Sequence, residues 1–254
     1  MEKIKVTAVS YLNTKPFLYG LFQSDIQHDI ELSLDIPSVC AAKLQSGAAD
    51  LGIVPVAVIP KLSTPHIISD YCIGCVGEVK TVCIYSDIPL EQVTAIYLDY
   101  QSNTSVALTK VLLDKYWHLN PILLDTTEGY ISKIGGTTAG LVIGDKTIGL
   151  AKNFRYVYDL GKIWQTYTDG LPFVFAAWVS NRKLPDEFIE KFNNALLVGL
   201  QHIPQLVYLL PTQEAGFDLK EYFTHNISYE FDTFKKQALK RFLTEIGMTK
   251  MVAM

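Results

Sequence analysis

Four short stretches carry side chains suited to holding a small anion, and each follows a run that reads as a strand. The first is Ser10-Tyr11-Leu12-Asn13-Thr14-Lys15-Pro16. Hydroxyl, phenol and amide groups there lead into a proline and an apolar periodic segment, the order of strand, polar turn and helix start. Asn13 or Thr14 can cap that helix while the remaining donors face the crevice beyond the strand's carboxyl end. The plainer reading makes Thr14 a cap and leaves Tyr11 and Asn13 as turn residues. The second stretch, Val54-Pro55-Val56, ends an apolar run, and its neighbours can line the same crevice. The third is Tyr100-Gln-Ser-Asn-Thr-Ser105, where Ser102, Thr104 and Ser105 offer hydroxyls beside the free amides of a helix N-terminus. Together these hold a carboxylate without an arginine; a cap alone needs only one of the three hydroxyls. The fourth is Asp145, at the end of Leu141-Val-Ile-Gly-Asp145, either a helix cap or a carboxylate in the crevice.

The elements that must position these groups alternate between strand and helix. Residues 29–36 alternate apolar and polar as a half-buried strand, Pro37 starts a short helix, and Gly47 is placed as its left-handed terminus. Residues 50–55 form a continuous apolar run, the pattern of a strand covered on both faces. Further strands are predicted at 67–68, 71–76, 80–85, 94–99, 121–124, 141–145 and 156–160, with helices from about 105 to 117 and from 161 to 168. The glycine-rich 135–140 segment lacks a following Lys-Ser/Thr and reads as a linker, not a phosphate loop. In the very apolar 171–179 strand, Phe173 and Phe175 share a face and are placed either in the core or against a flat ring of a ligand. Amphipathic helices follow from Pro185 onward.

A break in the pattern near residue 88 and a return near 175 predict an α/β fold of two doubly wound lobes with a ligand cleft between them. Residues 1–88 and 177–254 form lobe 1 and residues 89–176 lobe 2. Composition narrows the function. With 254 residues, 49% of them hydrophobic, the chain can bury a sizeable core, and a net charge of −4 without a basic run argues against nucleic acid as partner. No apolar run has membrane-spanning length, and residues 1–5 lead directly into a strand pattern, so neither export nor a membrane partner is expected. The 4 cysteines include Cys72-Ile-Gly-Cys75, but no second pair or His pair accompanies it, so buried reduced thiols are expected and no metal.

Several strings, in this order and spacing, resemble the chorismate dehydratases of the futalosine route to menaquinone. They are Val9-Ser-Tyr-Leu-Asn-Thr-Lys-Pro16, Ala49-Asp-Leu-Gly-Ile-Val-Pro-Val56, Cys72-Ile-Gly74, Ser102-Asn-Thr-Ser105, Val142-Ile-Gly-Asp145, Tyr158-Asp-Leu-Gly161 and Leu171-Pro-Phe-Val-Phe175. The resemblance covers the chain to about Trp178, with Cys75 and the glycine content of 135–140 as departures. It implies a type II periplasmic-binding-protein-like fold in a cytoplasmic enzyme that uses no cofactor and takes chorismate as its small-molecule partner.

Under that resemblance Asn13 hydrogen-bonds the departing hydroxyl, and Ser10, Tyr11, Pro55 and Phe173 line the substrate site. Thr104 and Ser105, with Ser102 and helix amides, hold one carboxylate; Thr81 is a candidate for the other, and Asp145 stands at the same site. Lys80 is the nearest cation, or else faces solvent. The proton acceptor stays open between Asp145 and a carboxylate of the substrate itself, because none of the five histidines falls in a matching string. Oligomeric state stays open as well. Two other readings remain, a transporter's binding protein and the sister enzyme that makes 1,4-dihydroxy-6-naphthoate.

Overall fold

The computed structural model describes residues 3–211, 214 and 216–248. In chain order its strands are β1 (Ile4–Val9), β2 (Ile30–Asp35), β3 (Leu51–Pro55), β4 (His66–Cys75), β5 (Val82–Ser86), β6 (Ala95–Leu98), β7 (Ile122–Asp125), β8 (Thr138–Ile143), β9 (Tyr156–Asp159), β10 (Phe173–Ser180) and β11 (Ser228–Glu230). The helices are α1 (Lys15–Gln23), α2 (Pro37–Ser46), α3 (Asn103–Leu112), α4 (Leu160–Tyr167), α5 (Asp186–Gln201), α6 (Ile203–Leu209), α7 (Leu219–Glu221) and α8 (Thr233–Glu245). A six-stranded sheet has the order β11-β4-β10-β3-β1-β2, and a five-stranded sheet the order β7-β6-β8-β5-β9.

Within each sheet the strands joined by helices run parallel: β1 with β2 and β3, β6 with β7 and β8. The strands that arrive from the other lobe run the opposite way. β5 lies antiparallel between β8 and β9, and β10 lies antiparallel between β3 and β4. A chain entering a lobe from the cleft must climb its sheet from the carboxyl ends of the parallel strands, so each crossing produces one reversed strand. β5 therefore belongs to the second sheet, and the first crossing falls between Cys75 and Val82 rather than near residue 88. The return falls between Tyr167 and Phe173, and the whole of β10 belongs to the first sheet. The outer ends of the expected lobe ranges, residues 1–2 and 249–254, lie outside the described residues.

Local chemistry accounts for most boundaries. Every residue of β3 is buried, because β1 and β10 flank it and helices cover both faces. Helix α2 carries Pro37 in its first turn and ends at Gly47 with φ 75°. β4 is one strand of ten residues where two short ones were expected. Cys72 and Cys75 both sit in it, and an i, i+3 pair on a strand faces opposite sides, so they are not a chelating pair. All four cysteines are buried free thiols, and burial pushes Cys72 up to about 12 and Cys40 up to about 11. The glycine-rich segment is only partly a linker, since β8 begins inside it at Thr138. The C-terminal helices return to the first sheet: α5 lies on α1, where Gly20 and Gly199 let the backbones touch.

Candidate active site

The carboxyl ends of β1, β3, β4 and β8 converge on a cavity between the two sheets, lined also by the first turn of α3. Tyr11, Asn13, Pro55, Thr81, Ser102 and Ser105 line it, set among Val9, Ile53, Ile73, Ile143, Phe175 and other apolar groups. This is the chemistry of a small-molecule site: mostly apolar walls with a few convergent polar groups. No Lys, Arg, Asp, Glu or His is among the described residues that line it.

Each polar group is held by a specific local device. After β1 the chain makes a tight turn over Leu12–Thr14 before α1, with Pro16 in the first turn of that helix. Neither Asn13 nor Thr14 caps α1 through its side chain. The Thr14 hydroxyl donates instead to Asn13 Oδ1 at 3.0 Å, which turns the Asn13 amide nitrogen away as a donor. The Asn13 carbonyl accepts from the buried Tyr229 hydroxyl at 3.0 Å. Ser102 is the N-cap of α3, accepting from the Ser105 amide at 3.3 Å, and its hydroxyl also meets that of Ser105 at 3.1 Å. The free amides of the first turn of α3 lie beside these hydroxyls, a preorganised seat for one carboxylate. Thr81 is fixed by the Tyr222 hydroxyl, 2.9 Å away.

Three contacts span the lobes, and two of them account for Asp145 and Thr104, which were expected in the site but do not line the cavity. The Leu12 amide donates to both oxygens of Asp145, at 3.0 and 3.2 Å. Asp145 is thus neither a helix cap nor a carboxylate lining the cavity; it accepts the backbone of the opposite lobe. Burial pushes its carboxyl above the ordinary range, against the pull of the Leu12 amide and Lys15. Thr104 accepts from the Ala57 amide at 3.2 Å, a bond between the lobes, and does not line the cavity. Tyr11 donates to Gln101 Oε1 at 2.5 Å, while its ring lies on Gly144 and lines the cavity.

Ser10 is exposed at the end of β1, where its amide donates to the Asp35 carbonyl. Phe173 is buried between Trp164 and Phe242, with ring centroids 5.1 and 5.0 Å away, and Phe175 takes the cavity position instead. Lys80 points to the surface and pairs with Glu221 at 2.8 Å. None of the five histidines lines the cavity.

The sequence reading missed Asp99, Asp159, Tyr222 and Tyr229. Asp99 is fully buried and receives Lys146 at 2.7 Å, the Tyr130 hydroxyl at 2.8 Å and the amides of Gln101 and Ile143. It ties the loop after β6 to the end of β8. Asp159 does the same at the first crossing: its carboxylate accepts the amides of Val79, Lys80 and Lys162. That clamp holds Lys80 in the left-handed region at φ 63° and delivers Thr81 to the cavity. The strand-end position of both aspartates was the available signal.

Two lobes, each with its own sheet, joined by two crossings around a cavity define a periplasmic-binding-protein-like fold. The likeness to solved structures agrees. A protein of Archaeoglobus fulgidus superposes with a TM-score of 0.75 at 15% identity, covering 96% of this chain and 97% of that one. A Candida albicans protein described as having the generic periplasmic binding protein fold superposes with a TM-score of 0.60 at 12% identity, over 99% and 92%. The chain belongs to the menaquinone biosynthesis family, whose sequence profile matches residues 4–247. Among curated relatives, the chorismate dehydratase of Thermus thermophilus is 25% identical over 203 residues, 72% of this chain and 73% of that protein. Among the described residues no helix is long and apolar enough to cross a membrane.

Proposed function

We propose that this protein is a carbon–oxygen lyase that removes water from chorismate to give 3-[(1-carboxyvinyl)oxy]benzoate. The observation that carries the reading is the cavity's donor set: the Asn13 amide at the end of β1 and the Ser102–Ser105 turn of α3, with no ionised side chain among the described lining residues. Chorismate is a cyclohexadiene, and loss of its ring hydroxyl with the neighbouring ring hydrogen makes the ring aromatic. The protein has to orient the substrate, exclude water and ease the departure of the hydroxyl.

The geometry fits those tasks. One carboxylate sits at the α3 amides with the hydroxyls of Ser102 and Ser105. Asn13, its oxygen occupied by Thr14, turns its N–H toward the leaving hydroxyl and stabilises the charge that develops there. Phe175, Ile73 and Ile143 present apolar surface to the ring. With no Asp, Glu or His among the described lining residues, a carboxylate of the substrate itself takes the ring proton as the C–O bond breaks and passes it to the departing hydroxyl, which leaves as water. The place in a metabolic route is the futalosine path to menaquinone, and the reaction is placed in the cytoplasm. Membership of the menaquinone biosynthesis family and the Thermus thermophilus relative support this reading.

The experiment is incubation of the purified protein with chorismate, followed by chromatography and mass analysis. The expected result is an aromatic product lighter than chorismate by one water. Chorismate that binds and returns unchanged contradicts the lyase and favours a receptor; chorismate that does not bind points to the naphthoate-forming sister activity.

A further inference from the structure

The turn that carries Asn13 is held from behind by the edge of the first sheet. Within a tight turn of this kind the Asn13 carbonyl would take the amide three residues on, but that residue is Pro16, which has no N–H to give. The buried Tyr229 of β11 donates to it at 3.0 Å, and its ring stands edge-on to Phe17 of α1, with centroids 5.2 Å apart. β11 is three residues long, lies at the edge of the sheet, and slips in its pairing with β4 between Ser228 and Glu230, the two neighbours of Tyr229. Lys235, 1% exposed in the first turn of α8, ties that slip down: its Nζ donates to the Ser228 hydroxyl at 2.6 Å and to the Glu230 carbonyl. Its stem passes over Gly74, where a Cβ would stand 3.1 Å from Lys235 Cε and 2.5 Å from the Phe173 carbonyl oxygen. Gly74 of the Cys72-Ile-Gly74 string thus makes room for the lysine that fixes Tyr229 on both sides.

We propose that Tyr229 is a positioning residue for the dehydration, its hydroxyl pinning the Asn13 carbonyl so that the turn presents the Asn13 amide to the substrate in one place. This role rests on the chorismate reading of the cavity. The Asn13 side chain can be no better placed than its own backbone, and Thr14, which holds Asn13 Oδ1, belongs to the same turn and moves with it. Tyr229 reaches that turn from 216 residues away, on a strand that Lys235 ties down. A displacement of about 1 Å at a group acting on the leaving hydroxyl is enough to cost about 100-fold in rate. Burial holds the Tyr229 phenol well above its ordinary range, so it stays protonated and serves as a donor throughout.

The test is Tyr229→Phe, which keeps the ring against Phe17 and removes the oxygen alone. We expect kcat to fall about 10- to 100-fold with KM changed by less than about threefold. In the Asn13→Ala background the same change should cost less than about twofold, because the group it positions is gone. Tyr167→Phe, which removes a hydroxyl bonded to Glu245 of α8, should leave kcat within about twofold of wild type. In the protein without substrate, the side-chain amide resonances of Asn13, identified by their loss in Asn13→Ala, should move in Tyr229→Phe and stay in place in Tyr167→Phe. An unchanged kcat in Tyr229→Phe, an equal loss in both backgrounds, or Asn13 resonances that stay in place overturns the role. So does a loss in Tyr167→Phe as large as that in Tyr229→Phe. If the wild-type protein leaves chorismate unchanged, the dehydratase reading fails by itself, and the amide resonances still decide whether Tyr229 holds Asn13.

Discussion

Asp145 shows how one carboxylate can serve the site without lining it. Its two oxygens receive the Leu12 amide of the opposite lobe, and burial raises it above the ordinary aspartate value of 3.8. A proton then binds the folded protein more tightly than the unfolded chain. The stability this group contributes is fully present below 3.8 and is lost as pH rises through the raised value. Lowering the pH from about 7 to about 4 should therefore raise the melting temperature of the wild type relative to Asp145→Asn, all other titrating groups being common to both. A gap between the two that does not change with pH would contradict this placement. Asp159 is shifted in the same direction by burial, but three backbone amides depend on it. Asp159→Ala should lower Thr81's order at the cavity together with turnover, measurable as hydrogen exchange at Val79 and Lys80 that rises well above wild type.

At the level of the elements, the turns after β1 and β8 press on each other. Gly144 has φ 68°, and a Cβ there would stand 2.7 Å from the Tyr11 ring. Gly144→Ala is expected to hold the lobes apart and weaken ligand binding at least about tenfold, read by calorimetry; unchanged affinity would count against the interlobe packing described here. Helices α1 and α5 make a second close approach, where a Cβ on Gly199 would stand 1.8 Å from the Pro16 carbonyl oxygen. Gly199→Ala should cost about 1–3 kcal/mol of stability by denaturant titration. Much at this scale was legible beforehand. The strand ends that carry Tyr11, Asn13, Pro55 and Ser102 were marked by apolar runs stopping at polar turns, and α/β proteins put ligands at such ends. Neighbours within a turn were not separable. Spacing says that Ser102, Thr104, Ser105 and Asp145 lie near the cleft, but not which of them is taken by a backbone amide of the other lobe. Tyr222 gave no signal at all, since its segment reads as one more amphipathic stretch and its partner Thr81 lies 141 residues away in sequence.

Across the whole molecule, the reversed strands β5 and β10 each enter their sheet from the cleft, so the chain crosses twice within reach of the cavity. Around the cavity the lobes meet through Leu12 with Asp145, Tyr11 with Gln101, and Ala57 with Thr104, while Trp164 of the second lobe packs on Phe173 and Phe242 of the first. Such an interface can open and close around a ligand, which both admits substrate and excludes water during reaction. Solution scattering should show a smaller radius of gyration with chorismate than without it, and a larger one in Gly144→Ala; identical curves would argue for a rigid cleft. The most direct measurement of the central claim is a single-turnover comparison of wild type and Asn13→Ala with chorismate at saturating concentration. The account predicts water loss in the wild type and a rate about 100- to 1,000-fold lower in the variant, with affinity changed little. Equal rates in the two proteins, or no water loss in either, would contradict it.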